Sequence, residues 1–217
     1  MLQALAMKYR VYGLVSYDRS AKIRWLLTEL GEKFEMVWLN RAKKEHESHE
    51  FLKINPMGRI PVLQTETGTI MESGAICTYL ADQHLSKGMA PALNSPDRAA
   101  YLQWMYFASV TLDIFQTKIM IIEDIPPGDV YNSKLGTLQS DLRDALEVLN
   151  RTLEKSSYLV GNSFTAADIC VSYHLNWYKL WPELDVVCKD FPKVFDYVER
   201  LKKMPSAIEA DVFSYKE

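Results

Sequence analysis

A chain of 217 residues can hold one large domain or two small ones, at roughly 100 to 200 residues per domain. Its composition, 48% hydrophobic and 24% charged, is that of a globular protein, and a net charge of -3 without a basic stripe argues against nucleic-acid binding as the main task. Three cysteines, Cys77, Cys170 and Cys188, stand far apart with no C-x-x-C, which fits neither a disulfide framework nor a zinc site and implies a reducing compartment.

The opening MLQALAM lacks a basic n-region and a long apolar core, so Met1–Met7 is expected to be a short extension before the first strand. No apolar run reaches the roughly 18 residues of a spanning helix, so a cytoplasmic chain with no membrane partner is expected. KYRVYGL reads as a strand, and RSAKIRWLLTELG as a helix with Ile23, Leu26, Leu27 and Leu30 on one face and Gly31 as its C-terminal cap. FEMVWLN is a second strand, and HESHEFLKINP a short helix ended by Asn55-Pro56. IPVLQT and GTIMES form a strand pair turning at Thr67-Gly68, and SGAICTYLADQHL is a helix starting at Ser73. The order β-α-β-α-β-β-α implies one parallel crossover followed by an antiparallel hairpin. Proline removes a ladder donor, so Pro61 belongs at a strand entrance, an edge or a cis turn.

SKGMAPALNSP is the one dense Gly/Pro/Ser/Asn segment in mid-chain and serves as the linker. Beyond it the pattern is all-helical. Ser95-Pro96-Asp97 starts a helix with apolar positions from Tyr101 to about Ile122, and IPPGDV ends it. Leu135, Leu138, Leu142, Leu146, Leu149 and Leu153 then recur at spacings of three and four. Two further helices follow in SFTAADICVSYHLNWYKL and FPKVFDYVERLKKMP. In FTAAD, Thr165 and Asp168 fit a capping box that nucleates a buried helix rather than a catalytic pair. His46 and His49 have H-x-x-H spacing but no third ligand, so they are read as solvated helix-surface residues and no metal is expected.

Three motifs, NPMGRIPVL, MESGAICTYL and VGNSFTAADI, occur in order on this pattern of elements. Together they resemble the glutathione transferase superfamily over about Lys8 to Met204. That resemblance implies a fold of α/β plus all-α type: a thioredoxin-like glutathione-binding domain over 7–85 and an all-helical substrate domain over 95–217. It also implies a homodimer. The co-substrate would be glutathione, the partner a small hydrophobic electrophile, and no nucleic acid is expected.

Residue roles follow from the same resemblance. A cis Ile60-Pro61 bond would leave the Ile60 main chain free to pair with the cysteinyl backbone of glutathione, a form of strand addition. Glu72 would face the γ-glutamyl amine, and Ser73, at a helix N-terminus, its carboxylate. His46, with Lys53 and Arg59 nearby, would meet the glycyl carboxylate. The sulfur must react as thiolate, and a hydroxyl donor just after the first strand, with the end of the first helix, would favour it. The segment LVSYDRSAK has no cysteine there. Counting back from Gly31 puts Tyr17 in that slot with Ser16 one residue away; we favour Ser16, keep Tyr17, and expect Ser20 to cap the helix. Tyr106 is the candidate contact for the electrophile, with Phe107, Thr111 and Trp177 near it in the pattern. Two alternatives stand beside conjugation: glutathione-dependent disulfide or peroxide reduction, and a non-catalytic binding module.

Overall fold

The computed structural model describes residues 8–214, so the extension expected at Met1–Met7 lies outside the described residues. The chain divides into two compact units. One runs through Lys87 and takes in the chain from Pro205 onward; the other is Gly88–Met204.

The first unit is built on strands β1 (Tyr9–Gly13), β2 (Phe34–Trp38), β3 (Val62–Thr65) and β4 (Gly68–Met71), in the spatial order β2-β1-β3-β4. β1 and β2 are parallel because helix α1 (Ser20–Leu30) carries the chain back between them, while β3 runs antiparallel to both β1 and β4. This is the expected order of elements. Ala21, Ile23, Trp25, Leu26 and Leu27 of α1 are fully buried. Gly31 ends α1 at φ 70°, a left-handed C-cap open to glycine without steric cost, and its N–H bonds the Leu27 and Thr28 carbonyls. The helix expected between His46 and Asn55 is two shorter pieces, a 3-10 turn at Glu45–Glu47 and α2 (His49–Leu52), because the Ser48 side chain caps the second piece. Helix α3 (Ser73–Gln83) packs on β3, β4 and α1.

The second unit is all-helical: α4 (Arg98–Tyr106), a π-helical turn at Phe107–Leu112, α5 (Asp113–Glu123), α6 (Asp129–Leu153), α7 (Ala166–Tyr178), α8 (Pro182–Cys188) and α9 (Pro192–Lys202). The stretch Arg98–Glu123 is long and apolar enough, by length and composition, to cross a membrane. Its burial is one-sided: Tyr101, Trp104, Ala108, Leu112, Phe115 and Ile119 are inside while Tyr106, Val110 and Ile114 are exposed. That is how a helix covering a core reads. On α6, Leu138, Leu142, Leu146 and Leu149 are buried, as the leucine spacing implies. The capping box is present on α7, where the Asp168 carboxylate accepts from the Thr165 N–H at 2.8 Å, the Leu159 N–H at 3.0 Å and the Tyr197 hydroxyl at 2.8 Å.

The last of the described helices, α10 (Pro205–Glu209), groups with the first unit although it lies within the stretch 95–217 expected to form the all-helical domain. Three side chains of α1 hold it there. Arg24 donates to the Ala210 carbonyl at 2.6 Å, the Trp25 indole N–H to Ser206 Oγ at 3.0 Å, and Ser206 Oγ to the Glu29 carboxylate.

Candidate binding site at one end of the sheet

Strand register gathers the candidate residues of the first unit. Tyr12 pairs with Val62, Val62 with Met71, and Gly13 with Trp38. The loop after β1, the residue before β3, the residue after β4 and the segment after β2 therefore emerge at the same end of the sheet. Ser16 and Tyr17, Ile60-Pro61, Glu72-Ser73 and the chain leading to His46 all lie in those segments.

The Ile60-Pro61 bond is cis, and Pro61 is buried. Asn55 braces the approach: its amide nitrogen donates to the Arg59 carbonyl at 2.6 Å, and its side-chain oxygen accepts from the Met57 N–H at 3.0 Å. The half-buried Ile60 side chain packs on Tyr12, Phe51 and Val62. Its main chain takes no part in the pairing of β3, which begins at Val62 with both neighbouring strands.

Glu72 precedes α3 at φ 67° and ψ 113°, a conformation that costs a non-glycine residue on the order of 1–3 kcal/mol. No side chain caps the N-terminus of α3, so its first-turn N–H groups keep the partial positive charge of a helix start. Exposed Glu72 and buried Ser73 thus set a carboxylate acceptor beside a helix end suited to an anion.

The loop after β1 is organised by a residue the sequence reading passed over. Asp18 Oδ2 accepts from the N–H groups of Leu14 at 2.6 Å and Val15 at 2.9 Å, and its Oδ1 from the N–H of Ser20 at 2.7 Å. Ser20, expected to cap α1, is instead its first residue; it is fully buried and its hydroxyl has no hydrogen-bond partner. The signal for this lies in Asp18-x-Ser20, since an aspartate bonding the N–H two residues ahead competes well with serine for such a turn. Ser16 and Tyr17 are both half-buried on the loop, and the Ser16 carbonyl accepts from the Arg24 guanidinium.

His46 lies against the approach to Ile60: a Cβ built on Gly58, which sits at φ 60°, would come within 3.1 Å of the His46 carbonyl oxygen. The imidazole Nε2 is 3.5 Å from Glu47, and Nδ1 is buried without a hydrogen-bond partner. Arg59 is exposed. Tyr106 belongs to the second unit, where it is 68% exposed, whereas Phe107 packs edge-on against Trp104 and Trp177 lies on Trp181. Among the described residues no group of three or more His, Cys, Asp or Glu side chains is arranged to hold a metal.

Comparison with known proteins places this geometry in context. The family model for the glutathione S-transferase N-terminal domain matches residues 7–82, and that for the C-terminal domain residues 137–200. Elongation factor 1-gamma of Prunus avium is 33% identical over 179 residues, 79% of this chain and 38% of that protein, so the chain spans about two fifths of its length. Glutathione S-transferase 1 of Schizosaccharomyces pombe is 27% identical over 202 residues, 86% of this chain and 87% of the relative. A glutathione transferase of Phanerochaete chrysosporium, solved in complex with oxidized glutathione, superposes with a TM-score of 0.84 at 24% identity, covering 96% of both chains.

Proposed function

Since the chain belongs to the glutathione transferase superfamily, we propose that it binds glutathione at this end of the sheet and joins its sulfur to a small hydrophobic electrophile. One observation carries the reading: a single strand register brings the cis Ile60-Pro61 turn, the uncapped helix start at Glu72-Ser73 and the loop carrying Ser16 and Tyr17 to the same end of the sheet. The Ile60 main chain pairs with the cysteinyl residue of glutathione, Glu72 takes the γ-glutamyl amine and Ser73 its carboxylate, and His46 with Arg59 faces the glycyl carboxylate. The hydroxyl of Ser16, or of Tyr17, donates to the sulfur. The thiol proton leaves to solvent, the thiolate forms a carbon–sulfur bond, and the electrophile's leaving group departs with the bonding electrons. Tyr106 is the proposed contact for the electrophile.

A second reading, glutathione binding without turnover, is favoured by Asp18. Its carboxylate already occupies the N–H of Ser20, the first residue of α1, near where a thiolate would gain most from the helix end. The elongation factor relatives, named for a different process, point the same way. Retention on immobilised glutathione together with turnover of an aryl halide supports conjugation. Retention without turnover supports the module, turnover only of a glutathione-reactive disulfide supports reduction, and no retention ends all three. We further propose a cytoplasmic homodimer, supported by three buried cysteines outside any disulfide and by exposed Tyr106, Val110 and Ile114 on one helix. Sedimentation at twice 25.0 kDa is the expected result, and a monomer would refute the dimer.

A further inference from the structure

Arg24 is a charged side chain on a helix whose neighbours are apolar, and only 7% of its surface is exposed. A guanidinium is taken out of water where its planar fork can reach several acceptors at once. One arm of the fork donates to the Ala210 carbonyl at 2.6 Å, the other to the Ser16 carbonyl, and the plane lies over the Trp38 ring at 5.5 Å. Ser16 and Ala210 are far apart in sequence, yet one side chain ties them together within the first unit.

The Ser16 carbonyl belongs to the peptide plane that joins Ser16 to Tyr17. Fixing that plane fixes the positions of both Cα atoms from which the two side chains leave the backbone, whichever of them supplies the hydroxyl. Asp18 secures the two ends of the loop through Leu14, Val15 and Ser20, whereas its middle is held by Arg24. The far arm is anchored in turn, because the C-terminal segment is seated on α1 by the Trp25–Ser206 hydrogen bond at 3.0 Å and by the Trp25 and Phe213 rings, 5.4 Å apart and edge-on.

We infer that Arg24 is a positioning residue that makes the placement of the Ser16-Tyr17 hydroxyls depend on the docked C-terminal segment, Pro205–Phe213. The inference rests on the glutathione reading above for its consequence in turnover, but the coupling of loop and segment stands apart from it. Displacing a reacting group by about 1 Å costs on the order of a hundredfold in rate, so a loosened loop acts on kcat. Ile60, Glu72 and Ser73, which would hold the rest of the tripeptide, lie on other segments of the chain, so glutathione affinity changes little.

The test uses the full chain with Arg24→Gln, Arg24→Lys and Phe213→Ala. Hydrogen exchange is read in two peptides covering 14–19 and 206–213, glutathione affinity by calorimetry, and turnover with an aryl halide. Arg24→Gln should speed exchange in both segments about tenfold or more and lower kcat by a similar factor, with glutathione Kd within about threefold of the parent. A lysine reaches one carbonyl but not both in the same fork, so Arg24→Lys should fall between. Phe213→Ala leaves Arg24 in place and detaches the segment at its far end; it should still speed exchange in 14–19. Exchange that rises in one segment alone overturns the inference, as does equal loss of kcat and glutathione affinity. If the parent protein turns over no electrophile, the conjugation reading fails, and exchange in the two segments decides the coupling unaided.

Discussion

Glu72 is held at φ 67° immediately before a helix start that no side chain caps, a conformation glycine would take without strain. A residue kept there at a cost points to a use for its carboxylate. Glu72→Gly should therefore raise the melting temperature while weakening glutathione binding about tenfold or more, since a charge-assisted hydrogen bond is worth about 1.5–3 kcal/mol. Unchanged affinity in calorimetry would remove Glu72 from the site. For the hydroxyl, Ser16→Ala should cut kcat with little change in Kd; if Tyr17→Phe does this instead, the donor is one residue further on. Cys188 belongs to the second unit, and burial pushes its thiol up to about 12. Its folded value is raised, so its contribution to stability is present below about 9, the ordinary thiol value, and is lost as pH rises from there toward 12. Chemical denaturation across that range should show a shallower alkaline loss in Cys188→Ala, and an identical slope would contradict the assignment. The proline turn at Ile60-Pro61 and the helix start at Ser73 were legible because each is a short local signature. Asp18 and Arg24 were not: the aspartate's acceptor role depends on how the loop closes, and the arginine's partner lies 186 residues away.

Among the elements, α6 follows most directly from its sequence. Its leucines recur at helical spacing, and four of them are buried against α5, α8 and α9. Leu142 and Leu146 are fully buried, so Leu142→Ala should destabilise by about 2–5 kcal/mol in urea unfolding. A loss below about 1 kcal/mol would mean that the site collapses around the smaller side chain. The hairpin of β3 and β4 was equally readable, since Thr67-Gly68 turns between two short β-rich runs. Helices α8 and α10 were not anticipated. They have seven and five residues, too few for an apolar period to stand out, and each depends on neighbours supplied by tertiary packing. The break between Glu47 and His49 escaped notice for a related reason, because Ser48 caps α2 from within what reads as one continuous polar helix.

For the molecule as a whole, three motifs spread along the chain were enough to identify the superfamily, because each marks a different junction between elements: α2 to β3, β4 to α3, and α6 to α7. The linker was also readable, and the second unit begins inside it at Gly88. The return of the chain from Pro205 to the first unit was hidden, since it rests on contacts between residues 181 and 186 positions apart. The first unit is therefore discontinuous in sequence, and its α1 is clamped by residues 206 and 210. The central claim is that this unit grips glutathione at the end of the sheet where β1, β3 and β4 meet its loops. Titration of the isotope-labelled chain with glutathione, followed by amide resonances, tests it most directly. Saturable shifts are expected at residues 14–18, at Arg59 and Ile60, and at residues 72–74. Absence of shifts, or shifts confined to other residues, would contradict it.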